Sequence, residues 1–371
     1  MQTLDSALRL IDEWVGPQGV PGVGAAVWMN GGIAAERYAG LADTDTPVTA
    51  DTLFPMASVT KPITAATVQA LVEQGLFSLD EPVGRMVPEF RAGPGLESAE
   101  VTPELERLRP TISARQLLSH VSGLPEDLGP RESRYQEMAT IDEVIDQMCR
   151  LPLLSAPGEV LRYSNAGFGV LARLTERATD RSFWDVTQSA VFSPLGLTDI
   201  VPNPRGDQLQ RVARLADSSH EGTDLETYNG GYWRGLALPW GGLFGTPRAA
   251  VTFAGAFLDG GLLSLASIAL MTHDQTNGVP GGVESARIRW NPGRWGLGWE
   301  VKGDKRRHWT GELTSERTFC HFGHAGTLLW ADPEHGIALA VFANRAVTHM
   351  WSFILARWAR LSNAVVAAAH P

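Results

Sequence analysis

Residues 54 to 75 read "FPMASVTKPITAATVQALVEQG". From Ser58 onward the run is apolar nearly all round, which predicts a helix buried on every side rather than an amphipathic surface helix. Gly75 is placed to stop it in the position after the cap. Pro62 is tolerated in the first turn, where the N–H it lacks has no intrahelical partner. Ser58 then stands at or beside the helix N-terminus, with Lys61 three residues on and on the same face. Of the 31 basic residues only Lys61, Lys302 and Lys305 are lysine. Arginine stays protonated at any working pH, whereas a lysine amine can lose its proton when it is buried or set near positive potential. A neutral amine beside a serine hydroxyl can take its proton as the oxygen attacks a carbonyl. The plainer alternative, a solvated charge at a helix end, has to be weighed against what surrounds this stretch.

The surroundings are globular. The chain has 371 residues, 44% of them hydrophobic and 19% charged, enough to bury a sizeable core. A formal charge of −10, with no basic stripe, argues against nucleic acid or anionic membrane surfaces as partners. Cys149 and Cys320 lie far apart without ligand spacing, so two buried, inert thiols are expected and no metal. No apolar run of about 18 residues is present to span a bilayer. "MQTLDSALRLIDEWVG" carries acids where an export signal needs a basic start, and Leu4, Leu8, Ile11 and Trp14 repeat at helical spacing. A cytoplasmic location is therefore expected.

Residues 20–43 hold two strand-like runs joined at Asn30-Gly31-Gly32, a hairpin signal. Short helices and loops follow to about residue 235, among them one opened by a Ser113/Gln116 capping box. "NAGFGVLARLTERATD" places Phe168, Leu171, Leu174 and Ala178 on one face, and Thr246-Pro247 opens another helix. Residues 276–296 are expected to form a surface loop. Strands return in "WGLGWEV", "GTLLWADP" and "GIALAVFAN", the last two joined by a turn at 332–336, and residues 346–361 close as an amphipathic helix. Strands at both ends around a helical middle predict an α+β fold. Its antiparallel sheet, of about five strands, would have halves that meet in space and flanking N- and C-terminal helices. Residues 1–75 with 236–371 would form the α/β part and 76–235 a mostly helical subdomain, all within one domain.

Two further clusters carry polar chemistry. In "RYSN", alternation sends Tyr163 and Asn165 to one side, where a phenol and an amide could face a ligand. The structural alternative is that Asn165 caps the next helix and Tyr163 packs. In "FGHAGTLLW", His324, Ala325 and Gly326 are expected to enter a strand. The glycine would let a ligand approach the backbone, and a strand-edge N–H would be available to an oxyanion. Trp233, Trp240, Trp295 and Trp330 are candidates for lining an apolar acyl or alcohol site, or for the core.

Taken in order, "FPMASVTKP", "ISARQLLSHVSGLP", "APGEVLRYSNAGFGVLARLTERATD" and "FGHAGTLLWADPEHGIALAVFANR" resemble blocks of the serine β-lactamase and penicillin-binding-protein superfamily. The likeness is to its class C β-lactamase, DD-peptidase and esterase branch, with Ser-x-x-Lys as the shared nucleophile motif. The resemblance covers roughly residues 8 to 360. It implies an acyl-enzyme on Ser58, with Lys61 and Tyr163 sharing the proton shuttle and the choice of initial base left open. Asn165 would orient Lys61 and substrate, the N–H groups of Ser58 and Thr327 would bind the oxyanion, and no cofactor would be needed. Many members carry Lys-Thr-Gly where this chain has His324-Ala325-Gly326. The hydroxyl that meets a substrate carboxylate is thus missing and the charge is titratable. The resemblance then implies a carboxylesterase or transacylase acting on a small ester, thioester or amide, with water or a bound amine or alcohol resolving the acyl-enzyme. A β-lactamase or DD-peptidase is the first alternative, and a catalytically silent binding protein on this fold is an alternative of another class.

Overall fold

The computed structural model describes residues 3–94, 102–129, 134–347 and 351–370. The fold is α+β, a central antiparallel sheet with helices from both chain ends beside it and a helical subdomain inserted. The chain divides into two compact units, residues 1–60, 191–265 and 301–371 in one, and 61–190 with 266–300 in the other.

The first unit is built on the sheet. Its order runs Glu300–Val301, Phe319–Gly323, Thr327–Asp332, Ile337–Ala343, Gly22–Met29, Gly32–Asp43, Thr46–Pro47. Five of these are long strands, and the two at the edges have two residues each. The chain ends meet where Gly22–Met29 pairs antiparallel with Ile337–Ala343, Val23 opposite Ala343 and Met29 opposite Ile337. Every residue of Thr327–Asp332 and Ile337–Ala343 is buried, as expected of strands covered on both faces. Helix Pro247–Asp259 packs on the strands 22–29, 327–332 and 337–343, and helix Trp351–Ala369 packs on helix Leu4–Leu8. Thr246 caps the former through its hydroxyl with Pro247 in the first turn. The hairpin at residues 30 and 31 has φ of 55° at Asn30 and 78° at Gly31, the two left-handed residues a tight right-twisted hairpin needs. Of the expected closing helix, residues 348–350 lie outside the described residues.

The second unit is mostly helical. Residues 61–71 are buried without interruption, as an all-apolar helix requires. Its end is sealed by Leu76 N–H donating to Leu71 O (3.1 Å) and Gly75 N–H to Val72 O (3.0 Å), the paired bonds of a Schellman motif. The Ser113/Gln116 capping box is present. Phe168, Leu171 and Leu174 of helix Asn165–Thr179 are buried.

Two sequence expectations change. Residues 276–296 are more than a loop, because Gly281–Val283 pairs antiparallel with Ile288–Trp290 and parallel with Leu161–Arg162. Glycines hide a strand from propensity, yet a Cβ on Gly281 would lie 1.9 Å from Leu161 O, so only glycine lets these backbones approach. In "WGLGWEV" only Glu300–Val301 is strand; Trp295, Leu297 and Trp299 are buried from an irregular segment.

Candidate active site

In the first unit, Ser58 sits in a 3-10 turn, Ala57–Val59, that runs directly into helix Thr60–Glu73. Its side chain is half-buried. The peptide ahead of it is held from several directions. Strand Phe54–Pro55 pairs with Phe244–Gly245, Met56 N–H donates to Leu243 O (2.8 Å), and Met56 O accepts from Thr327 Oγ1 (2.9 Å). Ala57 has φ of 47°, a left-handed conformation that costs a non-glycine residue energy and persists only where the surroundings impose it.

His324, Ala325 and Gly326 do not enter a strand. They form the turn between Phe319–Gly323 and Thr327–Asp332, and the strand begins at Thr327, which pairs with Gly323 on one side and Phe342 on the other. The reason is Gly326, whose φ of 87° breaks the extended run. Thr327 is therefore at the start of an interior strand, and its hydroxyl, bonded to Met56 O, ties that strand to the Ser58 turn. Gly323 makes the approach feasible, since a Cβ there would lie 2.5 Å from Met56 O and 3.0 Å from Ala57 Cβ. His324 has an open face, but enough protein surrounds the imidazole to push its pKa below the ordinary value. Tyr228, which sequence reasoning missed, packs against buried Ala57, Ala325, Leu215 and Ala346. It lies in a loop with no periodicity, and only the tertiary fold brings it beside the Ser58 turn.

In the second unit, Lys61 is fully buried. Its Nζ lies 4.7 Å from the Tyr163 ring centroid and 5.6 Å from that of Phe168. Burial pushes the amine down to about 7, against the pull of the Asp127 and Glu126 carboxylates, which favour the ammonium. Tyr163 is buried, its ring 4.5 Å from that of His120 and 5.7 Å, edge to face, from Trp295. His120, also missed, is buried, and its Nδ1 accepts from Ser164 N–H (3.0 Å); this bond fixes the tautomer with the proton on the other nitrogen. Asn165 does not cap its helix. Ser164 does, through Oγ to Gly167 N–H (3.0 Å). Asn165 is the first helical residue, and its Nδ2 donates to Asp127 Oδ2 (2.8 Å). Burial raises the Asp127 pKa, opposed by the Asn165 and Leu128 hydrogen bonds and by the charge of Lys61. Neither carboxylate could be singled out from sequence, because "PED" has no spacing relation to Lys61.

Lys61, Tyr163 and, through Asp127, Asn165 thus belong to one enclosed group, while Ser58, Thr327, Gly326 and His324 share the first unit. An amine near neutrality against a phenol can take up and release protons at working pH. Of the tryptophans, Trp295 borders Tyr163, whereas Trp330 is pure core, fully buried with Nε1 donating to Ser362 Oγ (3.0 Å). Trp240 is buried and Trp233 half-buried. Neither cysteine forms a disulfide and both are buried, and burial pushes the Cys149 thiol up to about 12, which leaves Cys149 inert. Among the described residues, no helix is long and apolar enough to cross a membrane.

Comparison with known proteins agrees with this architecture. The Beta-lactamase family model matches residues 8–362. Esterase EstB of Burkholderia gladioli is 36% identical over 191 residues, covering 48% of this chain and 46% of EstB. Penicillin-binding protein 4 of Amycolatopsis lactamdurans is 31% identical over 264 residues, covering 68% of this chain and 65% of that protein. The aligned stretch thus spans about half of the length of EstB. Among solved structures, a β-lactamase (Mb2281c) of Mycobacterium bovis is 29% identical with a TM-score of 0.68, covering 98% of this chain and 100% of that one. The chain belongs to the beta-lactamase family, with the serine-hydrolase fold shared by β-lactamases, DD-peptidases and esterases.

Proposed function

We propose that this protein is a serine hydrolase or acyltransferase that forms an acyl-enzyme on Ser58, acting as a carboxylesterase or transacylase on small esters or thioesters in the cytoplasm. The observation that carries the reading is Lys61, wholly buried against Tyr163 with its amine brought to about 7. A purely structural lysine would not be kept where burial works against its charge.

In the proposed reaction, Ser58 Oγ attacks the substrate carbonyl while its proton passes to the Lys61 and Tyr163 pair. The backbone N–H groups of Ser58 and Thr327 receive the oxyanion. As the tetrahedral species collapses, the C–O or C–S bond breaks and the same proton goes to the departing alcohol or thiol. Water, or a bound alcohol or amine, then attacks the acyl carbonyl and frees Ser58. The ester preference is supported by EstB among the relatives and by Ala325, which supplies no hydroxyl to a substrate carboxylate. A β-lactamase or DD-peptidase is the second reading, favoured by the likeness to the Amycolatopsis penicillin-binding protein.

Intact-protein mass spectrometry after brief exposure to p-nitrophenyl butyrate and to a penicillin, repeated on Ser58→Ala, tests the proposal. Serine-dependent butyryl adduct or p-nitrophenol release, with little penicilloyl adduct, is expected. A faster stoichiometric penicilloyl adduct would establish the second reading, and no serine-dependent adduct from either compound would leave a silent binding protein.

A further inference from the structure

The start of helix 165–179 is tied to residues 125–127 by a set of bonds that goes beyond capping. Asn165 N–H donates to Glu126 O (2.7 Å), Ser164 Oγ to Pro125 O (2.7 Å), and Asn165 Nδ2 to Asp127 Oδ2 (2.8 Å). The other carboxylate oxygen, Asp127 Oδ1, accepts from Leu128 N–H (2.8 Å). An ionised carboxylate can only accept, so it decides which way the Asn165 amide faces. Nδ2 must point at Asp127, and Oδ1 is left buried with no hydrogen-bond partner among the described residues. The neighbouring Glu126 is engaged elsewhere, by Ser285 N–H (3.0 Å) and Ser285 Oγ (2.5 Å) at the surface.

We infer that Asp127 is a positioning residue: its carboxylate fixes the Asn165 amide and supplies the negative charge that keeps the enclosed Lys61 basic enough to accept a proton. The inference rests on the role proposed for Lys61. The titratable and charged groups around that amine are Asp127, Glu126 and the Tyr163 phenol, with His120 stacked behind Tyr163. Burial alone would make Lys61 a weaker base, ready to release a proton but poor at taking one from serine. A carboxylate at Asp127 pulls the other way. It also accounts for why the amide of Asn165 presents its oxygen, an acceptor suited to an ammonium or to another N–H or O–H donor, rather than its NH2.

Lysine labelled with 13C at Cε gives a direct readout, since Lys61, Lys302 and Lys305 are the chain's only lysines and Lys61→Met assigns the signal. In Asp127→Asn the Lys61 midpoint should move down by on the order of one pH unit, and the acidic limb of kcat/KM for p-nitrophenyl butyrate should move the same way. Asp127→Glu, which keeps the charge, should hold the midpoint near wild type. An unchanged midpoint in folded Asp127→Asn would overturn the inference. If that variant does not fold, Asp127→Ser removes the same charge and is read against the same two outcomes. Failure of wild-type Ser58 to acylate would remove the proposed function without altering the NMR result, so the two failures are separable.

Discussion

Replacing Lys61 by methionine should stabilise the protein more at neutral pH than at alkaline pH. The native amine titrates at about 7 against an ordinary value of 10.5. Below about pH 7 the lysine is protonated in both states and the full cost of burying the charge is present. Between about 7 and 10.5 the unfolded chain binds a proton that the native state does not, so stability of the wild type rises with pH. Above 10.5 both states are neutral and the cost is gone. Integrated between pH 6.5 and 9.5, the two midpoints correspond to a gain of about 3 kcal/mol in the wild type. Methionine fills a similar volume and does not titrate. The difference in unfolding free energy between Lys61→Met and wild type, from urea unfolding at the two pH values, should therefore shrink by about that amount as pH rises. Contributions of groups that do not interact with Lys61 cancel in the comparison. A difference that stays constant to within about 0.5 kcal/mol would mean that Lys61 keeps an ordinary amine, and the proton-shuttle argument would lose its basis.

The remaining expectations concern single changes. Lys61→Arg keeps a charge but cannot shed its proton, so Ser58 acylation by p-nitrophenyl butyrate should slow by about 10²-fold or more in rapid-quench measurements; near-normal rates would refute the role. Gly323→Ala places a methyl 2.5 Å from Met56 O, so it should lower stability by about 1–3 kcal/mol in chemical denaturation and depress acylation with it. Ser164→Ala removes the cap bond to Gly167 and the hydroxyl bond to Pro125 O; thermal unfolding should report a loss of about 1 kcal/mol.

Much of the site was legible because it is written locally. A serine three residues before a rare lysine, at the head of an all-apolar helix closed by Gly75, needs only helical geometry to be read. The hairpin at Asn30-Gly31, the cap pairs at Ser113 and Thr246, and the turn at 332–336 are likewise decided by residues within reach of one another. The Tyr163 and Asn165 pair was visible, and of its two readings the one in which Asn165 caps the helix falls, because Ser164 is the cap. Both Ser164 and Asn165 are good caps, and only the backbone path chooses between them.

By itself, then, the order of apolar runs, caps and turns determined the α+β class, the pairing of the chain's two ends and the buried helix headed by Ser58. Tertiary structure decided what no spacing encodes. Gly281 and Gly282 became strand because the backbones of Leu161 and Ile288 approach them where a Cβ would clash. Gly326 turned where alternation suggested extension, since positive φ overrode the pattern. Asp127 meets Asn165, 38 residues on, His120 meets Ser164, 44 residues on, and Tyr228 packs on Ala57 and Ala325 from a distant loop; no local spacing encodes such contacts. The shift of Lys61 itself belongs to this second class. A lysine's ordinary charge is a property of its side chain, but losing that charge near neutrality depends on how completely the folded chain excludes water from it.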